Sequence, residues 1–102
     1  MFKAIILLKK KEEVSSEEFK NWWINSHSSK AAMLPRIRKL CFNLVENEGD
    51  KAYDGVAEQW FDTREDFENA YASEIGKKVA ADSISNVLKR DRLFVNEHNI
   101  VN

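Results

Sequence analysis

Four segments of the chain carry the hydrophobic pattern of β-strands. Residues 2–8 are apolar almost without interruption, which is typical of a strand that is buried on both faces. Residues 37–46 and 56–61 place apolar side chains on both alternating faces, and the second segment follows an Asp-Gly turn. Residues 93–101 are the fourth predicted strand. Strands with two apolar faces indicate a sheet that is covered on both sides.

A capping box predicts the start of the first helix. Ser15 is the expected N-cap, Glu18 follows three residues later, and Val14 can pack against Phe19 across the first turn. Beyond it the apolar stripe is formed by Phe19, Trp22, Trp23 and Ser26, with His27 at its edge. Because Pro35 disfavours helical geometry in the residue before it, we expect this helix to end by residue 34.

Two more helices are predicted after the third strand. Thr63 caps the first of them, with Asp66 in its third helical position. Its expected buried side chains are Phe67, Ala70 and Tyr71. The chain then breaks at residues 73–76, and a last helix is expected to turn Ala80, Ile84, Val87 and Leu88 inward.

The predicted order of elements is strand, helix, strand, strand, helical region, strand. This order is that of the ferredoxin-like βαββαβ fold, an α+β architecture with an antiparallel sheet and helices on one face. The first and third strands are the most apolar, which agrees with central positions in the sheet. At 102 residues the chain is predicted to be a single domain over residues 1–102.

The charge and cysteine content of the chain argue against several classes of binding partner and metal site. The formal net charge is −1, so no global field favours nucleic acid or an anionic membrane, and no stretch is long enough to span a bilayer. Cys41 is the sole cysteine, which excludes an internal disulfide and a cysteine-based zinc site. The histidines and glycines show no metal-binding or phosphate-binding spacing. We expect a cytoplasmic protein with no metal and no cofactor.

The sheet carries more apolar side chains than one layer of helices can cover. The residues of this surplus are Ile5, Leu7, Leu40, Phe42, Leu44, Val56 and Trp60. Each is worth roughly 1.5–3 kcal/mol when buried, so exposing several would remove most of the stability of a small domain. A second copy packed sheet against sheet would cover them, and a homodimer is therefore predicted.

Several segments, taken in order, resemble the EthD family of dimeric α+β barrel proteins. They read EEFKNWWINSH, LPRIRK, YDGVAEQWFD, YASEIGKK and FVNEHNIV. The resemblance implies a homodimeric barrel, a pocket between each sheet and its helices or the facing subunit, and a setting of small-molecule catabolism. The wider superfamily includes cofactor-free monooxygenases, isomerases and cyclases, so the fold by itself leaves the reaction open.

Three residues are candidates for catalysis. His27 matches the family's helix-end histidine and is suited to proton transfer, or else it is a structural residue at a helix end. Glu58 shares a strand face with Trp60, where desolvation would raise its pKa; alternatively it pairs with a basic residue of the sheet. His98 matches the family's Glu-His pair and is predicted to lie in the last strand, at a ligand or at the subunit contact.

The predicted ligand pocket is apolar. Trp60 and Phe42 are its expected aromatic walls, and further lining is expected from Leu40, Leu44, Trp23, Ile5, Leu7 and Val56. The helical spacing of Trp22 and Trp23 favours a place in the core over a ligand wall. Where relatives tend to have Pro-Gly after the first helix, this chain has Pro35-Arg36, and its second strand has leucines in place of polar residues. These departures favour an apolar or aromatic ligand.

Two functional hypotheses remain open from the sequence. The first is a cofactor-independent enzyme of the oxidoreductase, isomerase or cyclase type that acts on an apolar or aromatic metabolite. The second is a non-catalytic ligand-binding or accessory homodimer. A ligand-sensing module of a transcription regulator is disfavoured, because one domain uses the whole chain and provides no helix pair for reading DNA.

Overall fold

A computed structural model of the chain describes residues 1–46 and 51–102. The loop predicted around Asn47, Gly49 and Asp50 lies outside the described residues. In chain order, the elements are β1 (Phe2–Lys10), α1 (Ser16–Trp22), a π-helical segment (Trp23–His27), α2 (Ser28–Ala31), β2 (Lys39–Leu44), β3 (Gly55–Phe61), α3 (Arg64–Ala72), α4 (Glu74–Asn86) and β4 (Val87–Val95).

The described strands form one antiparallel sheet in the order β2-β3-β1-β4, with the helices on one face. The ferredoxin-like fold is therefore confirmed, including the central position of the first and third strands. Ala4, Ile6 and Leu8 of β1 are buried in the cores that the helices form with the sheet. We call this side the covered face and the opposite side the open face.

The predicted helix caps are confirmed. The Ser15 hydroxyl accepts a hydrogen bond from the backbone N–H of Glu18, and the Glu18 carboxylate accepts one from the N–H of Ser15. Thr63 accepts in the same way from the N–H of Asp66. Each cap satisfies a backbone donor at the first turn, where no intrahelical carbonyl is available.

A last strand is present as predicted, but its predicted bounds are wrong. β4 covers Val87–Val95, whereas residues 96–102 have no regular structure. The central residues of this strand, LKRDR, are mostly charged, and that composition hides an edge strand from a hydrophobicity pattern. Pairing with β1, from Val95 opposite Lys3 to Val87 opposite Lys10, determines its length.

The predicted inward face of the last helix is also wrong in part. Ile84 is 64% exposed, and Leu88 is an exposed strand residue, while Val79 and Ser83 occupy the buried side of α4. Val87 is buried, but as the first residue of β4. Because the helix ends at Asn86, residues 87 and 88 follow strand geometry and leave the helical stripe.

Alternation divides the predicted apolar surplus between the two faces. Leu40, Phe42 and Leu44 pair with Gln59, Ala57 and Gly55 and lie on the covered side. The open face instead receives Ile5, Leu7, Val56 and Trp60, together with Leu93 and Val95 of β4. The open face therefore keeps an apolar strip along β1, β3 and β4, to which β2 adds no leucine or phenylalanine.

Candidate functional site

His27 lies where the first helix widens into a π-helical turn. The backbone N–H of Ser28 donates to the carbonyl of Trp23, and the Ser28 hydroxyl donates to the carbonyl of Ile24 at 2.5 Å. The segment buries Trp23 and His27 together against the sheet. Single π-helical turns within α-helices are frequent at functional sites, since they redirect side chains at a cost in backbone regularity.

Two consecutive residues of α4 hold the His27 ring. Its Nδ1 lies 2.8 Å from Oδ2 of Asp82, and its Nε2 lies 3.2 Å from the Ser83 hydroxyl. His27 is 4% exposed and Ser83 is 3% exposed. Both ring nitrogens are thus paired inside the protein, in an Asp–His–Ser arrangement across two helices.

Burial governs the protonation of this histidine. Desolvation lowers the pKa of His27 below its ordinary value of 6.5, although the Asp82 carboxylate acts to raise it. Burial acts to raise the pKa of Asp82, but its hydrogen bonds with His27 and Lys30 outweigh this and hold the pKa below its usual value. At neutral pH the site therefore holds a neutral imidazole beside a carboxylate.

Aromatic rings enclose the histidine. Its ring centroid lies 5.0 Å from that of Trp22 and 6.1 Å from that of Phe42. Phe42 in turn stacks on Trp23, with 4.3 Å between centroids and 7° between planes. Such walls exclude water and are suited to planar apolar groups.

A small internal cavity of about 10 Å³ adjoins His27. Its polar lining consists of His27, Gln59, Tyr71, Ser83 and Arg90. Tyr71 and Gln59 are hydrogen-bonded at 2.8 Å, and burial raises the pKa of Tyr71. The buried Nε of Arg90 has no hydrogen-bond partner among the described residues. A buried, unpaired donor beside a cavity is costly in free energy and indicates a place for a polar group of a ligand.

A second polar cluster lies on the open face. Lys3 forms ion pairs with Glu58 at 2.9 Å and Glu97 at 3.0 Å, and its ammonium lies 4.6 Å from the centroid of Trp60. Asn43 donates to Glu58 at 3.0 Å, and the Trp60 indole N–H donates to Glu97 at 3.1 Å. This cluster is a network of charged groups around one tryptophan.

Comparison with known families decides what the chain is related to. The sequence profile of the EthD domain matches residues 11–87. The chain belongs to the EthD family. No sequence among the curated proteins matches it.

Solved structures share the fold at low sequence identity. An EthD family protein from Bacillus halodurans is 18% identical, with a TM-score of 0.83 over 96% of this chain and 100% of that one. A dimeric protein of unknown function and ferredoxin-like fold from Bacteroides fragilis is 21% identical, with a TM-score of 0.73 over 94% and 95%. A mutant form of SnoaB, a cofactor-independent oxygenase from Streptomyces nogalater, is 13% identical, with a TM-score of 0.70 over 98% and 95%. These likenesses establish the fold of this EthD chain.

The structure separates the candidate residues into two groups. His27, Trp23, Phe42 and Leu40 belong to the covered side, and Leu44 lies at its margin, 38% exposed. Glu58 and Trp60 belong to the open face with Ile5, Leu7 and Val56. His27 and Glu58 of one chain therefore lie on opposite sides of the sheet, as do the two expected aromatic walls, Phe42 and Trp60.

Of the two alternatives predicted for Glu58, the raised pKa is wrong. The hydrogen bond from Lys3 and then the one from Asn43 lower the pKa of Glu58 below its ordinary value of 4.5. This is the ion-paired alternative that the sequence left open. His98 does not lie in a strand as predicted: it is exposed in the segment that follows β4.

Sequence reasoning missed the polar residues that surround His27. Asp82, Ser83, Gln59, Tyr71 and Arg90 are distant from it along the chain. One signal was present, because Gln59 stands between Ala57 and Phe61 on an otherwise apolar strand face. A polar residue at such a position requires a buried partner, which Tyr71 provides.

No described helix is long and apolar enough to cross a membrane.

Proposed function

We propose that this EthD family chain is an enzyme that moves a proton on an apolar or aromatic metabolite, without a metal or an organic cofactor, and that His27 is its base. The observation that carries the proposal is the buried contact of His27 with Asp82 at 2.8 Å. A carboxylate at Nδ1 selects the tautomer in which Nδ1 carries the proton. That tautomer leaves Nε2 as the acceptor, next to Ser83 and the cavity.

The lowered pKa of His27 supports the same role. Desolvation keeps the imidazole neutral at neutral pH, so that its lone pair is available to accept a proton from a substrate. The Asp82 carboxylate then stabilises the imidazolium that forms. The Ser83 hydroxyl occupies Nε2 when no substrate is bound, and it has to rotate away for proton transfer.

Arg90 and Tyr71 are suited to the substrate's developing negative charge. The unpaired Arg90 Nε and the Tyr71 hydroxyl both adjoin the cavity. Groups of this kind stabilise an enolate or phenolate oxygen once the proton has left. The resulting anion would be reprotonated at another atom, which is an isomerisation, or oxidised by O2.

We also propose that the chain acts as a homodimer in the cytoplasm and that residues 1–102 form one domain. The half-buried Ile5, Leu7 and Val56 and the 50%-exposed Leu93 form an apolar strip that a second sheet can cover. The Bacteroides fragilis neighbour is itself described as dimeric. The open-face cluster of Glu58, Trp60 and Glu97, with His98 beside it in sequence, would then lie at or near the subunit contact.

A second candidate function is that of a non-catalytic ligand-binding or accessory homodimer. The observation that favours an accessory role over catalysis is the size of the cavity beside His27, about 10 Å³, which is the space of a single water molecule and holds no metabolite in this conformation. A metabolite can enter it only if side chains move. Arg90 is the candidate gate, since it is long, half-buried and carried on an edge strand.

Deuterium exchange into 2-tetralone tests the catalytic proposal. This aromatic ketone has an acidic C–H group, and its exchange in D2O is followed by NMR with metal-depleted protein. We expect the chain to accelerate exchange and the His27→Gln variant to lose about 10²–10⁴-fold of that acceleration. Asp82→Asn should also lose rate, because it no longer selects the tautomer. Lys20→Gln, an exposed substitution on α1, is the control.

The outcomes distinguish the two functions. Binding of 2-tetralone, seen as shifts of the Phe42 and Tyr71 resonances, without accelerated exchange would favour the accessory homodimer. Acceleration that survives His27→Gln in a folded variant would show that another group is the base.

A further inference from the structure

The outer surface of the helical layer contains a groove between α2 and α4. Its volume is about 560 Å³. Apolar lining comes from Met33, Ile75, Val79 and Ala81, and charged lining from Lys30 and Lys78 among others. We call this feature the helix groove.

The helix groove has the size and surface of a ligand site. Pockets for small molecules usually measure about 300–1,000 Å³ and are mainly apolar with a few charged or polar groups. Met33 is 65% exposed and Ile75 is 36% exposed, so two large apolar side chains of the groove contact solvent. Covering them would stabilise a complex through the hydrophobic effect.

The charges of the helix groove favour an anion. Asp82 is already shared between His27 at 2.8 Å and Lys30 at 3.3 Å. Lys78 is exposed and forms no ion pair with any residue in the described ranges. The groove is thus lined by two ammonium groups and one carboxylate, and that carboxylate is already paired with Lys30. The remaining positive charge lies beside the apolar residues of the groove.

We propose that the helix groove binds a small apolar molecule that carries one carboxylate. Its hydrocarbon part lies on Met33 and Ile75, and its carboxylate pairs with Lys78 and Lys30. The site is distinct from the cavity beside His27 and stands whether or not His27 is catalytic. A second copy packed on the open face leaves it accessible, because the groove lies on the opposite side of the sheet.

Asp82 links the helix groove to His27. One oxygen of Asp82 pairs with Lys30 in the groove, and the other contacts Nδ1 of His27. The charged groups around His27 are Asp82, which acts to raise its pKa, and Lys30 and Arg90, which act to lower it. A bound carboxylate offsets the charge of Lys30, so occupancy of the groove should raise the pKa of His27.

Octanoate and octan-1-ol are matched probes for this site, since they share a chain length and differ in charge. Binding is followed by the methyl resonances of Met33 and Ile75. Met1 and Met33 are the only methionines of the chain, so isotope labelling of the methionine methyl groups gives a spectrum with two signals. We expect both signals to shift with octanoate. Each lysine that pairs with the carboxylate should make the dissociation constant of octanoate about twofold to fivefold lower than that of octan-1-ol.

Neighbouring lysines provide the control. Lys78→Gln should weaken octanoate binding about twofold to fivefold and leave octan-1-ol binding unchanged. Lys77→Gln removes the same charge from the adjacent residue of α4, which does not line the groove, and should have no effect. His27 titrated by NMR should show a higher pKa with octanoate than without it.

Three results would overturn the proposal. The first is the absence of Met33 and Ile75 shifts with octanoate at millimolar concentration. The second is equal binding of the acid and the alcohol. The third is an equal loss of affinity in Lys77→Gln and Lys78→Gln, which would mean that net charge acts without a specific contact.

Discussion

The two faces of the sheet hold titratable side chains in different electrostatic environments. On the covered face, His27 is removed from water, and desolvation is the largest influence on its pKa. On the open face, Glu58 keeps part of its hydration, and the hydrogen bond from Lys3 is the largest influence on its pKa. Burial keeps the histidine neutral, whereas pairing keeps the carboxylate charged. A neutral base beside an aromatic wall is suited to proton transfer, and a charged network is suited to orienting a contact.

The largest expected difference between the faces concerns their tryptophans. Trp23 is 1% exposed, stacks on Phe42 and fills the space above Gly55, where an added Cβ would lie 2.7 Å from the indole. Trp23→Ala should therefore cost about 3–5 kcal/mol of unfolding free energy. Trp60 is 8% exposed but lies on the face that no helix covers, beside the exposed Lys39, so the space that it leaves opens to solvent. Trp60→Ala should therefore cost less, about 1.5–3 kcal/mol. Urea unfolding measures both, and equal losses would contradict the contrast.

The next effect concerns the open face as the proposed contact between subunits. Leu93 is 50% exposed and pairs with Ile5. Because a two-fold dimer repeats each residue, Leu93→Glu would place two carboxylates in the contact between subunits. We expect the affinity of the dimer to fall by roughly 100-fold, about 3 kcal/mol. Ile84→Glu, at a 64%-exposed residue of α4, is the control. Sedimentation equilibrium measures the change; a wild-type monomer at micromolar concentration would refute the dimer.

Acid should destabilise the two faces in different pH windows. The folded-state pKa of His27 is below 6.5, so its contribution to stability is complete above 6.5 and is lost as the pH falls toward the folded value. The folded-state pKa of Glu58 is below 4.5, so its contribution is present above 4.5 and is lost at lower pH. The free energy of unfolding, measured in urea at a series of pH values, should lose its pH dependence near and below 6.5 in His27→Gln. In Glu58→Gln it should lose its pH dependence near and below 4.5. A loss confined below pH 4.5 would contradict the assignment to His27.

The smallest expected effect is in the turn that joins the two layers. Arg36 has a φ of 62°, a left-handed conformation that costs a residue with a Cβ about 1–2 kcal/mol. In its ion pair with Asp66, at 3.6 Å, the Arg36 guanidinium is exposed to solvent, so the pair recovers little of this cost. Arg36→Gly should stabilise the protein by about 0.5–1 kcal/mol in urea unfolding. Arg38→Gly, at the nearby exposed arginine without a positive φ, should not stabilise it.

Much of the fold was predictable because its signals are local. The caps at Ser15 and Thr63 and the alternation in β1 and β3 depend on residues a few positions apart. The failure at β4 has the same origin. An edge strand with a charged centre has no local apolar signal, and β1 provides the pairing that holds it.

The sequence pointed to three residues around the candidate cavity, His27, Trp23 and Phe42, and to none of its other polar groups. His27 was identified by its place at the end of the first helix, but its partners lie in α4, β3, α3 and β4. The predicted association of His27 with Glu58 did not anticipate the sheet between them. Alternation shows that two strand residues share a face, but not which face the helices will cover.

The sequence by itself determined the order of the elements, the caps that start the helices, the ferredoxin-like fold and the family. Each follows from spacing within a segment or from the order of segments along the chain. The tertiary structure decided that Asp82 and Ser83 hold His27, that Lys3 holds Glu58, and that these pairs lie on opposite sides of one sheet. The physical reason is that desolvation and charge pairing depend on which distant side chains pack together.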